Sequence, residues 1–370
     1  MDVTTPRKVG KSSLEVTPLG FGGGQLGSPF VSNEECLKTV AAAWENGVRL
    51  YDTAPFYGVG RSERRLGLAL TGVGDAPENV PPRDSYRVNT KVGKTLVPEP
   101  VRDQSKKTFT PKGAVKAVRD PRSEFRLEYN YTYDAIMTQH RDSLQRMGLP
   151  SIDSLTIHDM DFGYHTDEEM EFHLNQLSRD GGGGARALEE LRESGAISAI
   201  GCGCNLESNN AETWEDSKHE DLCERIADTV DLDFFVVAGA YTLLETRALR
   251  RLLPFCEKRN IGAIGATPYA GGWLVAPDAP DAAYMYAPPP PEIVERAQRM
   301  NAICEKNGVA LAAAAIQFPL AHPAFAAVIP GAKAPEEAAQ NRVHMDTKVP
   351  EAVWQSFKDE GLLDPAAPTP

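Results

Sequence analysis

Arg49-Leu-Tyr-Asp-Thr-Ala-Pro-Phe-Tyr-Gly58, running on to Arg61-Ser-Glu63, is the stretch on which the reading of the chain turns. A strand-like run ends in an acid, Asp52, and a phenol, Tyr57, follows five residues later on a Pro/Gly turn. An acid at the C-terminal end of a strand, with a partner on the next loop, is how α/β barrels build an active site. Two later strand-like runs end in the same manner, one in Lys91 and one in His158.

Working outward, strands and helices alternate. Short apolar runs at 48–53, 87–91, 154–158, 199–204, 234–238, 262–266 and 327–330 read as buried parallel strands. Helices are expected at 33–45, 133–147, 185–194, 244–259, 291–306 and 349–360, the first opened by Ser32 with Glu35 three residues on, a capping box. Seven strands, with a short eighth at 347–349, predict an α/β fold, a single (β/α)8 barrel domain over residues 1–370. Alternating residues at 8–19 predict a β-hairpin ahead of the barrel, capping its floor. Two long connections, 93–130 and 270–290, follow strand C-termini and are expected to shape a substrate pocket.

The net charge of −13 argues against a nucleic-acid or anionic-membrane surface. Within 102–126, eight Lys/Arg stand among three acids, which reads as a solvated loop. The first twenty residues lack the apolar core of a signal peptide, and no apolar run approaches a membrane span. Six scattered cysteines form neither a C-x-x-C pair nor a zinc spacing, so a reducing, cytosolic setting without a metal is expected. Cys202 and Cys204, two apart on one strand, share a face suited to packing or ligand lining.

Gly22-Gly-Gly-Gln-Leu-Gly27 matches the dinucleotide fingerprint G-x-G-x-x-G, but no helix opens at its glycines, so a Rossmann reading is set aside. The run 181–184 of four glycines lacks the Lys-Ser/Thr of a phosphate loop and reads as a flexible start to a helix. Asp52, Tyr57, Lys91 and His158 form a more specific set. Singly, each has an ordinary structural explanation; jointly, three lie at the ends of successive barrel strands and Tyr57 lies on the first such loop. A nearby ammonium favours a phenolate, a carboxylate holds that ammonium in place, and a histidine can hydrogen-bond a substrate oxygen. None of these groups carries a hydride, so a nicotinamide is required. A glycoside hydrolase pairing Asp52 with Asp159 or Asp161 would leave Tyr57 and Lys91 without a role, and a binding module would need none of the four.

The pieces 51–58, Asn89-Thr-Lys91, 152–159, 199–205 and Val328-Ile-Pro-Gly331 with Pro335 and Asn341 resemble the aldo-keto reductase superfamily, in order and over nearly the whole chain. The Tyr57-Gly-Val-Gly-Arg-Ser-Glu63 turn and His158-Asp-Met-Asp161 are similar to its sugar 1-dehydrogenase branch: D-threo-aldose, L-fucose and L-galactose dehydrogenases, with pyridoxal 4-dehydrogenase close by. The resemblance implies Tyr57 as proton donor and acceptor, Lys91 and Asp52 as its tuning pair, and His158 as the substrate-orienting group. It implies cofactor contacts from Gly22, Asn205, Gly271, Gly272, Leu274, Gly331, Lys333, Glu337 and Asn341, while Cys204, Ala238 and Ala266 depart from the common pattern. Gly331 and Glu337 stand where NADP-preferring members carry a Lys and an Arg, so NAD is expected over NADP, with Lys333 near enough to matter. A small sugar or aldehyde is the expected partner, and the resemblance assigns no oligomeric state.

Overall fold

In the computed structural model of the chain, residues 4–72, 80–98, 125–205, 218–277, 284 and 289–370 are described. The basic stretch 102–126 falls outside them except for its last two residues, as does most of 278–288.

The hairpin forms first: β1 (Arg7–Lys8) pairs antiparallel with β2 (Glu15–Val16). A barrel follows with β3 (Phe21–Gly22), β4 (Leu50–Asp52) and β5 (Arg87–Val92). The chain then leaves the barrel for an antiparallel ribbon, β6 (Lys94–Pro98) with β7 (Phe125–Tyr129). It returns through β8 (Ser154–Ile157), β9 (Ala199–Cys204), β10 (Phe234–Ala238), β11 (Gly262–Ala266) and β12 (Phe325–Ile329). The eight barrel strands pair in parallel, in chain order, from β3 to β12. Gly20 and Gly22 donate to the Val328 and Pro330 carbonyls at 2.8 and 2.9 Å, which brings β3 and β12 together and closes the ring.

The eighth strand is therefore β3 at the start of the barrel; residues 347–349, where it was expected, are loop. Its glycines hide it from a hydrophobicity pattern and are needed for closure. A Cβ on Gly20 would lie 2.8 Å from the Ile329 side chain, and one on Gly22 would lie 2.7 Å from the Ile329 carbonyl oxygen. The expected 244–259 helix is a 3₁₀ turn, Arg247–Leu249, followed by a helix at Leu252–Arg259. The 181–184 glycines are tightly packed: a Cβ on Gly184 would come within 2.0 Å of the Tyr131 carbonyl oxygen.

Barrel and helices enclose one apolar layer, and a second core fills the barrel floor. Val9, Leu14 and Val16 of the hairpin join Leu50, Phe234, Ile264 and Ile329 there, so the hairpin plugs the end opposite the strand C-termini. Gly201 gives the Phe234 ring its space, since a Cβ there would lie 2.4 Å from it. Cys202 and Cys204 instead face the helix layer, where the Cys204 and Cys223 sulfurs are 3.3 Å apart as free thiols. Among the described residues no helix is long and apolar enough to cross a membrane.

Helices Arg61–Thr71 and Tyr133–Met147 pack closely because Gly67 meets Met147, where a Cβ would fall 2.0 Å from the carbonyl oxygen. Gly67→Ala is expected to destabilise the fold by about 1–3 kcal/mol. Urea unfolding measures it, and an unchanged midpoint would count against this packing.

Candidate active site

The site grows from the loop after β4. Gly27 and Gly58 meet back to back, with Gly58 left-handed (φ 63°) and an added Cβ only 2.1 Å from the Gly27 carbonyl oxygen. This contact sets the height of Tyr57 above the barrel. Ser62 ties the far end of the loop down, bonding the Thr53 hydroxyl and the Gly23 carbonyl at 2.7 Å each. Glu63, fully buried, accepts from Thr90 at 2.7 Å and pairs with Arg146. The Arg61-Ser-Glu63 part of the opening stretch is thus the anchor of the Tyr57 loop.

Strand alternation puts Asp52, Asn89 and Lys91 inside the barrel. The Lys91 ammonium reaches both Asp52 oxygens, at 2.9 and 2.7 Å, and the Thr53 carbonyl at 2.8 Å. Asn89 donates to Asp52 at 2.6 Å, while its own oxygen accepts from Ser154 and Thr156 at 2.9 and 3.0 Å. Lys91 and Asp52 are 3% and 4% exposed, so each depends on the other. The same ammonium stands 4.7 Å from the centre of the Tyr57 ring. His158 closes the group, its ring edge-on to Tyr57 at 5.7 Å between centroids. All four sequence-selected residues therefore converge at the C-terminal mouth of the barrel. A hydrolytic role for Asp52 has no support in this geometry, because both of its oxygens are engaged by Lys91 and one by Asn89 as well.

Electrostatics modify the expectation for the phenol. Burial, then the Asp52 and Asp159 carboxylates, pushes Tyr57 well above the ordinary phenol range, outweighing any lowering by the ammonium. Burial also drives His158 well below the ordinary histidine range, with Lys94 and Lys91 adding to it against the opposing pull of Asp159. The protein alone thus holds a protonated phenol beside a neutral imidazole.

Residues the strand-end reading missed sit just behind His158. Lys94 is 2% exposed and ion-paired to Asp159, and Asn205 Nδ2 donates to Asp159 at 3.2 Å and Asp161 at 2.9 Å. The nearest sequence signal was His158-Asp-Met-Asp161, a motif with two extra acids, together with a lysine three residues after Lys91. Among the described residues no group of three or more His, Cys, Asp or Glu is placed to hold a metal.

The nine expected cofactor residues fall into three places. Gly22, Gly331, Lys333, Glu337 and Asn341 lie at the β3–β12 seam and on the helix Pro335–Asp346 beyond it. Gly271, Gly272 and Leu274 follow β11; the two glycines are left-handed (φ 73° and 107°), whereas the Leu274 side chain is wholly buried. Asn205 ends β9 with its amide nitrogen on the two acids. Asn341 accepts from the Tyr269 hydroxyl at 2.7 Å. Glu337 accepts from the Lys333 backbone at 3.0 Å, with the Lys333 ammonium 3.8 Å from its other oxygen. Ala238 and Ala266, paired in register at the ends of β10 and β11, narrow the mouth by no more than a methyl group each. Left-handed glycines, small strand ends and a helix N-terminus are residue types suited to holding a nicotinamide dinucleotide.

Such a barrel mouth, with a phenol, an ammonium, a carboxylate and an imidazole around one point, defines the class of carbonyl and alcohol oxidoreductases. Residues 18–359 match the Aldo/keto reductase family, and the chain belongs to that family of nicotinamide-dependent oxidoreductases. It is 34% identical to a pyridoxal 4-dehydrogenase of Microbacterium luteolum, over 96% of this chain and 97% of that protein. It is 33% identical to a D-threo-aldose 1-dehydrogenase of Pseudomonas sp, over 97% of each. An aldo-keto reductase from Bacillus halodurans, solved in its holo form, shares the fold with a TM-score of 0.66 at 19% identity, over 98% of both chains.

Lys91→Met strands the buried Asp52 carboxylate and is expected to cost about 3–5 kcal/mol of stability. Denaturant unfolding measures the loss, and Lys91→Met combined with Asp52→Asn is expected to recover part of it. A single variant as stable as the wild type would contradict the mutual dependence of the pair.

Proposed function

We propose that the chain is an aldose 1-dehydrogenase that prefers NAD, oxidising the anomeric hydroxyl of an L-fucose, L-galactose or D-arabinose type sugar to a lactone. The observation that carries the proton-transfer part of this reading is the Lys91 ammonium, clamped by Asp52 and facing the Tyr57 ring, with His158 edge-on across the same ring.

Tyr57 exchanges the proton of the reacting hydroxyl, and Lys91 sets the potential at its ring. Asp52 keeps the Lys91 ammonium aimed. His158, held neutral by burial, can present a ring N–H to the substrate oxygen, orienting the sugar without adding charge. The nicotinamide supplies the hydride chemistry at the substrate carbon. Gly271, Gly272, Gly331 and Asn341 are the residues to hold the cofactor, with Asn205 at the nicotinamide end. The similarity to an aldose 1-dehydrogenase supports the sugar. A second reading, oxidation of pyridoxal, draws on a slightly higher identity, 34% against 33%, to a pyridoxal 4-dehydrogenase.

NAD reduction with L-fucose, L-galactose, D-arabinose and pyridoxal separates the two readings. Turnover of a sugar with none of pyridoxal supports the first; fast aldehyde reduction with no hemiacetal oxidised would sink it. Tyr57→Phe is expected to lower kcat by about 10²–10⁴-fold, the usual scale of acid–base catalysis, while NAD still binds. Undiminished turnover would remove Tyr57 from the mechanism.

The cofactor preference rests on Glu337, whose carboxylate repels a 2′-phosphate and partly neutralises Lys333. Glu337→Ala is expected to raise kcat/KM with NADP about tenfold relative to NAD, a change of about 1.4 kcal/mol. An unchanged NADP-to-NAD ratio would place the discrimination elsewhere.

A further inference from the structure

A second buried ion pair stands across the Tyr57 loop from Lys91 and Asp52. The Lys94 ammonium pairs with Asp159 and also lies 3.8 Å from the centre of the Phe56 ring, 4.9 Å from Tyr164 and 5.1 Å from Tyr129. One side chain thereby joins the loop after β4, the β6–β7 ribbon and the loop after β8. Asp159 is held left-handed at φ 49°, a conformation that a non-glycine residue keeps when its surroundings over-determine it. Its carboxylate lies 3.6 Å from His158 Nε2. Asp161, also 4% exposed, shares the Asn205 amide with Asp159, and among the described residues Lys94 is the one ammonium paired with either.

We propose that Lys94 is a positioning residue for the reaction, holding Asp159 against His158 and offsetting part of the charge that Asp159 turns toward Tyr57. The inference rests on the role given to Tyr57 under the proposed function. Lys94 then serves the far side of the reacting point as Lys91 serves the near side.

The charges around Asp159 agree with this. Lys94 faces it from β6, His158 and Asp161 from its own loop, and Tyr57 from the loop after β4. Tyr129 and Tyr131 face it from the ribbon side and Cys202 from β9, all protonated, while His165 near its backbone is pushed down to about 4 by burial and so is neutral above that. Burial opposes ionisation of Asp159, yet the Lys94 ammonium and the Asn205 hydrogen bond help hold it below the usual carboxylate range. Among the described residues Asp161 has no ammonium of its own, and burial followed by repulsion from Asp159 raises it above the usual carboxylate range.

The sign of the pH effect follows. Without Lys94, Asp159 loses its cation and its proton affinity rises. Below that new pKa the carboxyl is neutral and Tyr57 is undisturbed. Above it an uncompensated carboxylate faces the phenol and opposes formation of the phenolate. The loss of turnover therefore grows as pH rises.

The test measures kcat for NAD reduction from pH ~6 to ~10, using whichever of L-fucose, L-galactose, D-arabinose or pyridoxal is turned over fastest. Lys94→Met is expected to fall about tenfold further below wild type at the alkaline end than at the acidic end, one pKa unit of effect. Lys94→Met with Asp159→Asn removes both charges and is expected to restore the shape of the wild-type profile. A Lys94→Met profile parallel to wild type, or a double variant that keeps the alkaline loss, overturns the proposal. If the single variant does not fold, the double variant decides by the same criterion. Tyr57→Phe run alongside separates the two ideas: full activity there removes the basis of both, whereas an inactive Tyr57→Phe with pH-parallel Lys94 variants removes this one alone.

Discussion

The bond between Lys91 and Asp52 is the constraint on which the mouth of the barrel depends. Two charges this deeply buried would each cost several kcal/mol if left alone. They are tolerated because the ammonium meets both carboxylate oxygens and the Thr53 carbonyl, and because Asn89 donates to the same carboxylate. That in turn requires β4 and β5 in one register, with Asn89 opposite Asp52 and Lys91 two residues further on the same face. A slip of one residue in either strand would turn that strand's share of the set, Asp52 or Asn89 with Lys91, into the helix layer. The ion pair therefore depends on the sheet register, and the position of Lys91 under the Tyr57 ring depends on the ion pair.

Glycine governs the rest of the geometry. The seam between β3 and β12 and the contact of Gly27 with Gly58 are places where backbone touches backbone with no room for a Cβ. The first lets the ring close, and the second sets the Tyr57 loop on the rim. Glycine runs that resemble a dinucleotide fingerprint in the sequence are, at 22–27, a barrel strand followed by a 3₁₀ turn that carries the loop above it.

How much of this was legible follows from where the information lies. Strands β9, β10 and β11 matched their expected limits, because short apolar runs bounded by polar residues carry their own signal. β3 did not, since its two residues lie in a glycine run and its stabilisation comes from the strands on either side. In the site, Asp52, Lys91 and His158 were readable because each ends a recognisable strand. Lys94 was not. It belongs to a ribbon whose strands are separated by 99–124, and its partner Asp159 is 65 residues away. The phenol's high proton affinity was also out of reach of the sequence, because it is set by burial before it is set by any neighbour.

Two buried ion pairs flanking one phenol make poor sense as stabilising devices. Apolar residues of similar volume commonly replace such pairs with no loss, or with a gain, in stability. Polar groups gathered at one end of a barrel whose other end is filled with Val, Leu, Phe and Ile mark the end where local stability has been given up for chemistry. The distribution is specific: Lys91 and Lys94 lie three residues apart, yet each has its own acid, from β4 and from the loop after β8. Among the described residues Asp161 is the buried acid of this group without a cation of its own, and burial and Asp159 raise its proton affinity. Two lysines so placed serve the rim where the phenol stands rather than the packing beneath it.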